Sequence, residues 1–233
     1  MQFHTLHGVE NADKATGLGV VIDVFRAFST ACYIFNNRAV KIIPVSSVDE
    51  ARELKKKHPD YILMGEDHGL IPEGFDYGNS PSQFYNKDFS GKTVVLTTTR
   101  GTKGIVNARH LDDLITGSFV NAGAVTDYIT LRQPKNVSFI CTNKPMHSSD
   151  DEDAECAQYI QDMLEGKKPD YAEIVARIRT GGHADHFFDP KNTTHPQKDY
   201  DYCINLDALD FVIKKDVDAD GTVYLQRVDP LSK

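Results

Sequence analysis

Four groups of charged and polar residues follow short apolar runs in this sequence, and their types suit phosphate chemistry. Asp23 stands near the end of the run that begins at Leu18, with Arg26 three residues on. Glu66 follows the run Tyr61-Ile62-Leu63-Met64, and Asp76 lies in the loop beyond it. Thr97-Thr98-Thr99-Arg100-Gly101-Thr102 joins another run to a helical stretch, and Glu152 and Asp153 open a helix after the run that ends at Cys141. Such carboxylates suit Mg²⁺, a hard cation that takes oxygen ligands, usually one or two carboxylates plus waters and phosphate oxygens. A threonine-rich turn can aim N–H groups and hydroxyls at an anion, and a helix N-terminus adds positive partial charge. Arg26 and Arg100 could grip phosphate or sulfonate in a two-pronged fashion.

Each of these residues also has a plain structural role. An aspartate that ends a strand often caps the next helix, and acidic residues favour a helix N-terminus in any protein. The loop after the third apolar run is harder to set aside. Residues 65–92 hold five glycines and two prolines around Gly74-Phe75-Asp76-Tyr77-Gly78-Asn79-Ser80-Pro81. Loops of that length inside a compact domain are uncommon and often functional.

Several familiar schemes are absent. There is no GxxxxGK[ST], no GxGxxG after a strand and no GxSxG. Cys32 and Arg38 have the C-x5-R spacing of cysteine phosphatases, but the residues between them are bulky and helical. His183, His186 and His195 match no standard metal-ligand spacing and read as part of a polar loop over 181–200.

The elements that must position these residues alternate. Strands are expected at 18–24, 40–45, 61–64, 93–97, 113–116, 137–141 and 223–225. Helices are expected at 26–36, 47–57, 102–109, 121–132, 152–165 and 169–180. Ser47 and Glu50 match the capping box S-x-x-E. Strand–helix alternation implies an α/β fold with a mostly parallel sheet covered by helices on both faces. In such sheets ligands bind beyond the carboxyl ends of the strands, which is where the four groups lie.

Composition narrows the function. The 233 residues carry a net charge of −8 with no basic block, which argues against nucleic acid as a partner. No apolar run approaches a membrane span, and Met1–His7 lacks the basic and apolar regions of a signal peptide. Four widely spaced cysteines fit reduced thiols and a cytoplasmic location.

Taken together the segments resemble the 2-phosphosulfolactate phosphatase family. The resemblance rests on Val21-Ile22-Asp23-Val24-Phe25-Arg26-Ala27-Phe28-Ser29-Thr30, on Gly65-Glu66, on Gly74 to Pro81 and on Thr97 to Thr102. It continues through Gly117-Ser118-Phe119-Val120-Asn121-Ala122 and Glu152-Asp153-Ala154-Glu155-Cys156-Ala157, over about residues 18–228. It implies a three-layer α/β/α architecture with two similar lobes, about 1–120 and 121–233, and a homodimer. It also implies a Mg²⁺-dependent phosphatase that hydrolyses 2-phosphosulfolactate, a step of coenzyme M biosynthesis. Alternatives are a phosphatase for another small phosphorylated acid, or a non-catalytic anion-binding protein on the same fold.

On this reading Asp23, Arg26, Glu66 and Asp76 are the catalytic candidates. Asp23, Glu66, Asp76 and Asp153 are the candidates for holding the metal. Asn79, Ser80, Thr98, Thr99, Arg100, Gly101 and Thr102 are the substrate-binding candidates. Two departures from the family pattern stand out: Arg100 occupies an asparagine position, and residues 144–151 differ in sequence and length.

Overall fold

The computed structural model describes residues 1–144, 151–180 and 183–232. Most of the departing segment, residues 145–150, lies outside the described residues. The strands are β1 (Gln2–His7), β2 (Leu18–Ile22), β3 (Lys41–Val45), β4 (Ile62–Gly65), β5 (Thr93–Thr97), β6 (Asp113–Gly117), β7 (Asn136–Cys141), β8 (Val212–Val217) and β9 (Val223–Val228). The helices are α1 (Ala27–Asn36), α2 (Val48–Lys57), α3 (Gly101–Asn107), α4 (Ala122–Arg132), α5 (Glu152–Leu164), α6 (Tyr171–Thr180), α7 (Asp185–Phe188) and α8 (Gln197–Cys203).

The strands form one sheet in the order β1-β7-β2-β6-β8-β9-β3-β5-β4. β1, β7, β2 and β6 pair in parallel, as do β3, β5 and β4. The antiparallel hairpin β8–β9 joins the two groups. Its turn closes through Asp218 N–H to Thr222 O at 2.9 Å.

Burial on both faces explains the unbroken apolar runs. In β2, Leu18, Val20 and Ile22 pack with Val125 and Ile129 of α4, Ile160 of α5 and Ile174 of α6. Val21, between them, packs the other way, with Phe28 and Ala31 of α1 and Ile105 of α3. Alternate side chains thus meet different helix layers, as a period of two requires. The result is the expected three-layer α/β/α arrangement. Ile43, Val45, Leu63 and Val95 bury Ala51 of α2 in a smaller cluster.

Several elements differ from the sequence expectation. β1 and β8 are additional strands, and the stretch read as loop over 181–200 contains α7 and the start of α8. Ser47 caps α2 by accepting Glu50 N–H at 3.2 Å. Glu50 returns its carboxylate to Ser46 N–H at 3.0 Å, one residue earlier than the capping box predicts.

Candidate functional site

The carboxyl ends of β2, β5 and β4 converge on one cavity of about 470 Å³. α3 carries this convergence across the sheet: a Cβ on Gly104 would lie 2.8 Å from Val21 of β2, and one on Gly101 would lie 2.7 Å from Asp23 Oδ2. The cavity is lined by Asp23, Arg26, Glu66, Asn79, Thr98, Thr99 and Arg100, together with Asn143, Glu152 and the histidines 183, 186 and 195.

Asp23 is buried and serves two partners. Its Oδ1 accepts Ala27 N–H at 2.9 Å, the expected helix-start contact. Its Oδ2 accepts the Thr142 hydroxyl at 3.2 Å. Burial pushes the Asp23 carboxyl up to about 6, and the charges of Glu152 and Glu66 push the same way against the Ala27 hydrogen bond. A carboxyl so placed gains or loses its proton near neutral pH, as an acid–base group must.

Glu66 ties three segments together. Its Oε1 accepts Thr99 N–H at 2.6 Å, and its Oε2 accepts the Thr99 hydroxyl at 2.8 Å and Gly69 N–H at 2.7 Å. The threonine turn closes on itself. Thr98 Oγ1 accepts Thr102 N–H at 3.1 Å, and Thr102 Oγ1 accepts Thr98 N–H at 3.2 Å. One helix-start donor expected for an anion is therefore already occupied. Thr98, Thr99 and Arg100 line the cavity; Gly101 and Thr102 are buried and do not line it, and Gly101 leaves the space beside Asp23.

The two arginines are held differently. Arg26 is buried, and its Nη1 donates to Thr194 O at 2.9 Å and to Asp199 Oδ2 at 2.6 Å. Asp199 Oδ1 accepts the Ser80 hydroxyl at 2.8 Å and Ser82 N–H at 3.0 Å. Ser80 thus serves the framework, while its neighbour Asn79 reaches the cavity. Arg100 is exposed, and its Nη1 donates to Asn143 Oδ1 at 2.6 Å.

Two candidates from the sequence are placed elsewhere. Asp76 is not among the lining residues; its Oδ2 accepts Leu63 N–H at 2.8 Å and lies 3.4 Å from Lys55 Nζ. Asp153 is fully buried behind the wall. Its Oδ1 accepts Val24 N–H at 2.8 Å and its Oδ2 accepts Thr142 N–H at 3.1 Å, so it joins the ends of β2 and β7. Its neighbour Glu152 faces the cavity instead. Burial, and then Glu152, Asp23 and Asp151, drive the Asp153 carboxyl well above the usual range.

Sequence reading set the three histidines aside as part of a polar loop and did not single out Asp199. His183 Nδ1 is 3.0 Å from Glu152 Oε2, and that contact raises its pKa. Burial, then Arg26 and His186, lower His195 to about 4, so its ring is neutral at pH 7. Cys32 lies buried on α1 with its thiol pushed up to about 12 by burial, which removes the C-x5-R coincidence from consideration.

Comparison with known proteins bears on this cavity. A family model described as 2-phosphosulpholactate phosphatase matches residues 3–216. A Bacillus subtilis protein bearing the name Probable 2-phosphosulfolactate phosphatase is 36% identical over 223 residues, covering 93% of this chain and 92% of its own length. A Carboxydothermus hydrogenoformans protein of the same name is 35% identical over 211 residues, covering 86% of this chain and 85% of its own. One from Thermoplasma acidophilum is 35% identical over 166 residues, covering 71% and 74% respectively.

Proposed function

The chain belongs to the 2-phosphosulfolactate phosphatase family and is a phosphoric monoester hydrolase, and from that premise we propose that it uses Mg²⁺ to hydrolyse 2-phosphosulfolactate to sulfolactate and phosphate. The observation that carries the reading is the meeting of two carboxylates, Asp23 and Glu66, with two guanidiniums, Arg26 and Arg100, on one cavity. A site for anion capture alone would have no use for the carboxylates, which repel the ligand. A phosphatase needs both signs.

The donor set fits Mg²⁺. Asn79 Oδ1 is buried without a hydrogen-bond partner among the described residues, and Asn79 lines the cavity with Asp23 and Glu66. These are hard oxygen donors, the kind this cation selects. Asp23, Glu66 and Asn79 are the residues that would hold it. When bound, the ion supplies positive charge to the phosphoryl oxygens.

The rest follows from this chain's own side chains. The substrate carries about four negative charges in its phosphate, sulfonate and carboxylate groups. Arg26 presents its guanidinium from a fixed position, because Asp199 and Thr194 O hold one end of it. Arg100 adds a second positive charge at the mouth of the cavity. Thr98 and Thr99 line the same cavity. Asp23, as a carboxylate, either takes a proton from a water that attacks phosphorus or attacks phosphorus itself to give a phosphoaspartate that water then hydrolyses; in both routes the P–O bond to sulfolactate breaks and the departing oxygen takes up a proton. Stereochemistry at phosphorus assigns the step: overall retention, with a phosphoaspartate trapped at Asp23, identifies a nucleophile, whereas inversion with no phosphorylated protein identifies a base.

The test is phosphate release from 2-phosphosulfolactate with Mg²⁺, with EDTA, and with Asp23→Asn. Rapid release that EDTA stops and the substitution abolishes supports the reading. A folded protein that releases no phosphate overturns it. Arg100, at an asparagine position of the family pattern, favours a second reading in which another small phosphorylated acid is the substrate. Release from such an acid, with none from 2-phosphosulfolactate, selects it.

A further inference from the structure

Asp151, Glu152 and His183 each offer one donor atom, and these atoms lie within 4.8 Å of one another. Glu152 and His183 line the same cavity as Asp23, Glu66 and Asn79, whereas Asp151 does not line it. His183 Nδ1 is 3.0 Å from Glu152 Oε2. Two ligand atoms held at about 2.1 Å from one ion are separated by about 3.0 Å in octahedral geometry and about 3.4 Å in tetrahedral geometry, so this pair is close to ligand spacing.

Helix capping accounts for only part of this cluster. Asp151 is the N-cap of α5, and its Oδ1 accepts Asp153 N–H at 3.0 Å. Its Oδ2 has no partner among the described residues, although the residue is only 5% exposed. A buried carboxylate oxygen without a donor is costly, so it calls for a positive group. The nearby arginine does not supply one directly: Arg100 donates to Asn143, which in turn donates to Glu152 Oε1 at 2.8 Å.

We propose that Asp151, Glu152 and His183 form a second cation site, which takes a borderline transition ion such as Mn²⁺, Co²⁺ or Zn²⁺ in preference to Mg²⁺. Imidazole nitrogen suits those ions, whereas all-oxygen sets suit magnesium. The site places the ion in the wall of the cavity, on the side opened by α5. Its existence is independent of the phosphatase reading, because it is defined by direct binding.

Metal-stripped full-length chain is titrated with Co²⁺ with and without a large excess of Mg²⁺, which competes for any oxygen-only set. Retained cobalt is counted by elemental analysis, and visible absorption reports nitrogen coordination. A single equivalent of cobalt per chain is expected. His183→Ala should weaken its retention roughly 100-fold or more, as loss of a ligand exceeds the effect of losing a supporting contact. Asp151→Asn is the companion variant, since asparagine caps a helix as well as aspartate does and the fold is kept. It too should lose affinity. No retained cobalt in the unmodified chain, or equal retention in both variants, overturns the proposal and leaves a helix cap beside an ion pair.

Discussion

Arg26 Nη1 lies 2.6 Å from Asp199 Oδ2, and the two side chains are 5% and 0% exposed. The other oxygen of Asp199 holds Ser80 and Ser82. One carboxylate therefore fixes both the guanidinium and the loop that presents Asn79. Removing one partner of a buried pair strands a charge and costs about 3–5 kcal/mol. Asp199→Ala is expected to lose that much in urea unfolding, and its KM for the phosphate ester should rise more than its kcat falls. Asp199→Asn retains an acceptor and should be milder in both respects. An unchanged KM in Asp199→Ala would show that Arg26 does not grip the substrate.

Asp23 is a site where activity opposes stability. Its carboxyl is raised from 3.8 to about 6, mainly by burial. A folded-state pKa above the unfolded one means that the native protein binds the proton more tightly, so stability falls as pH rises between the two values. Each unit corresponds to about 1.4 kcal/mol, so ionisation costs the metal-free fold roughly 3 kcal/mol above pH 6. Asp23→Asn should then raise the thermal midpoint in EDTA at pH 8, and the gain should vanish below about pH 4. The same substitution should lower kcat by about 100-fold or more. Thermal scans at the two pH values, beside the phosphate assay, check both halves; a midpoint gain that persists at low pH would point to packing rather than charge.

The parts of the fold that sequence revealed are those where one signal dominates. Short, largely apolar runs rich in valine and isoleucine announced β2, β5 and β7, because both of their faces are buried. The rule that ligands sit beyond strand ends brought Asp23, Glu66 and Thr98 to one place. Other parts mix signals. Lys214, Lys215 and Asp216 hide β8, whose second half is largely exposed. α8 reads as polar because Asp199, which it buries with Tyr200 and Cys203, is charged. Glu152 and Asp153 are adjacent acids, and successive helical positions point in different directions, so composition alone could not say which faces the cavity. Asp76 sits in a loop whose path was illegible, and Leu63 N–H takes its carboxylate.

Gly101 marks where backbone must approach the catalytic candidate. A Cβ there would lie 2.5 Å from Ala27 Cβ and 2.7 Å from Asp23 Oδ2. Neither neighbour can step aside, since Ala27 is fixed in α1 and Asp23 is held by hydrogen bonds. Gly101→Ala should cost about 1–3 kcal/mol through overpacking. Because the added methyl pushes on Asp23, kcat should fall even where the protein remains folded. Calorimetry and the phosphate assay on one preparation measure both; full activity in a destabilised variant would mean that Asp23 does not need its present position.

Arg100 allows a test of which of the substrate's anions it meets. It is exposed, and among the described residues it donates to Asn143 Oδ1, so Arg100→Ala should change stability by no more than about 0.5 kcal/mol. A hydrogen bond to a charged group contributes about 1.5–3 kcal/mol, which corresponds to a KM increase of roughly 10-fold to 100-fold. Which substrate shows the increase is the informative part. If Arg100 grips a sulfonate or carboxylate, the loss appears with 2-phosphosulfolactate and is absent with a phosphate ester that carries no second acid. Equal losses with both esters would place Arg100 on the phosphate itself and leave Arg26 to hold the remaining charge.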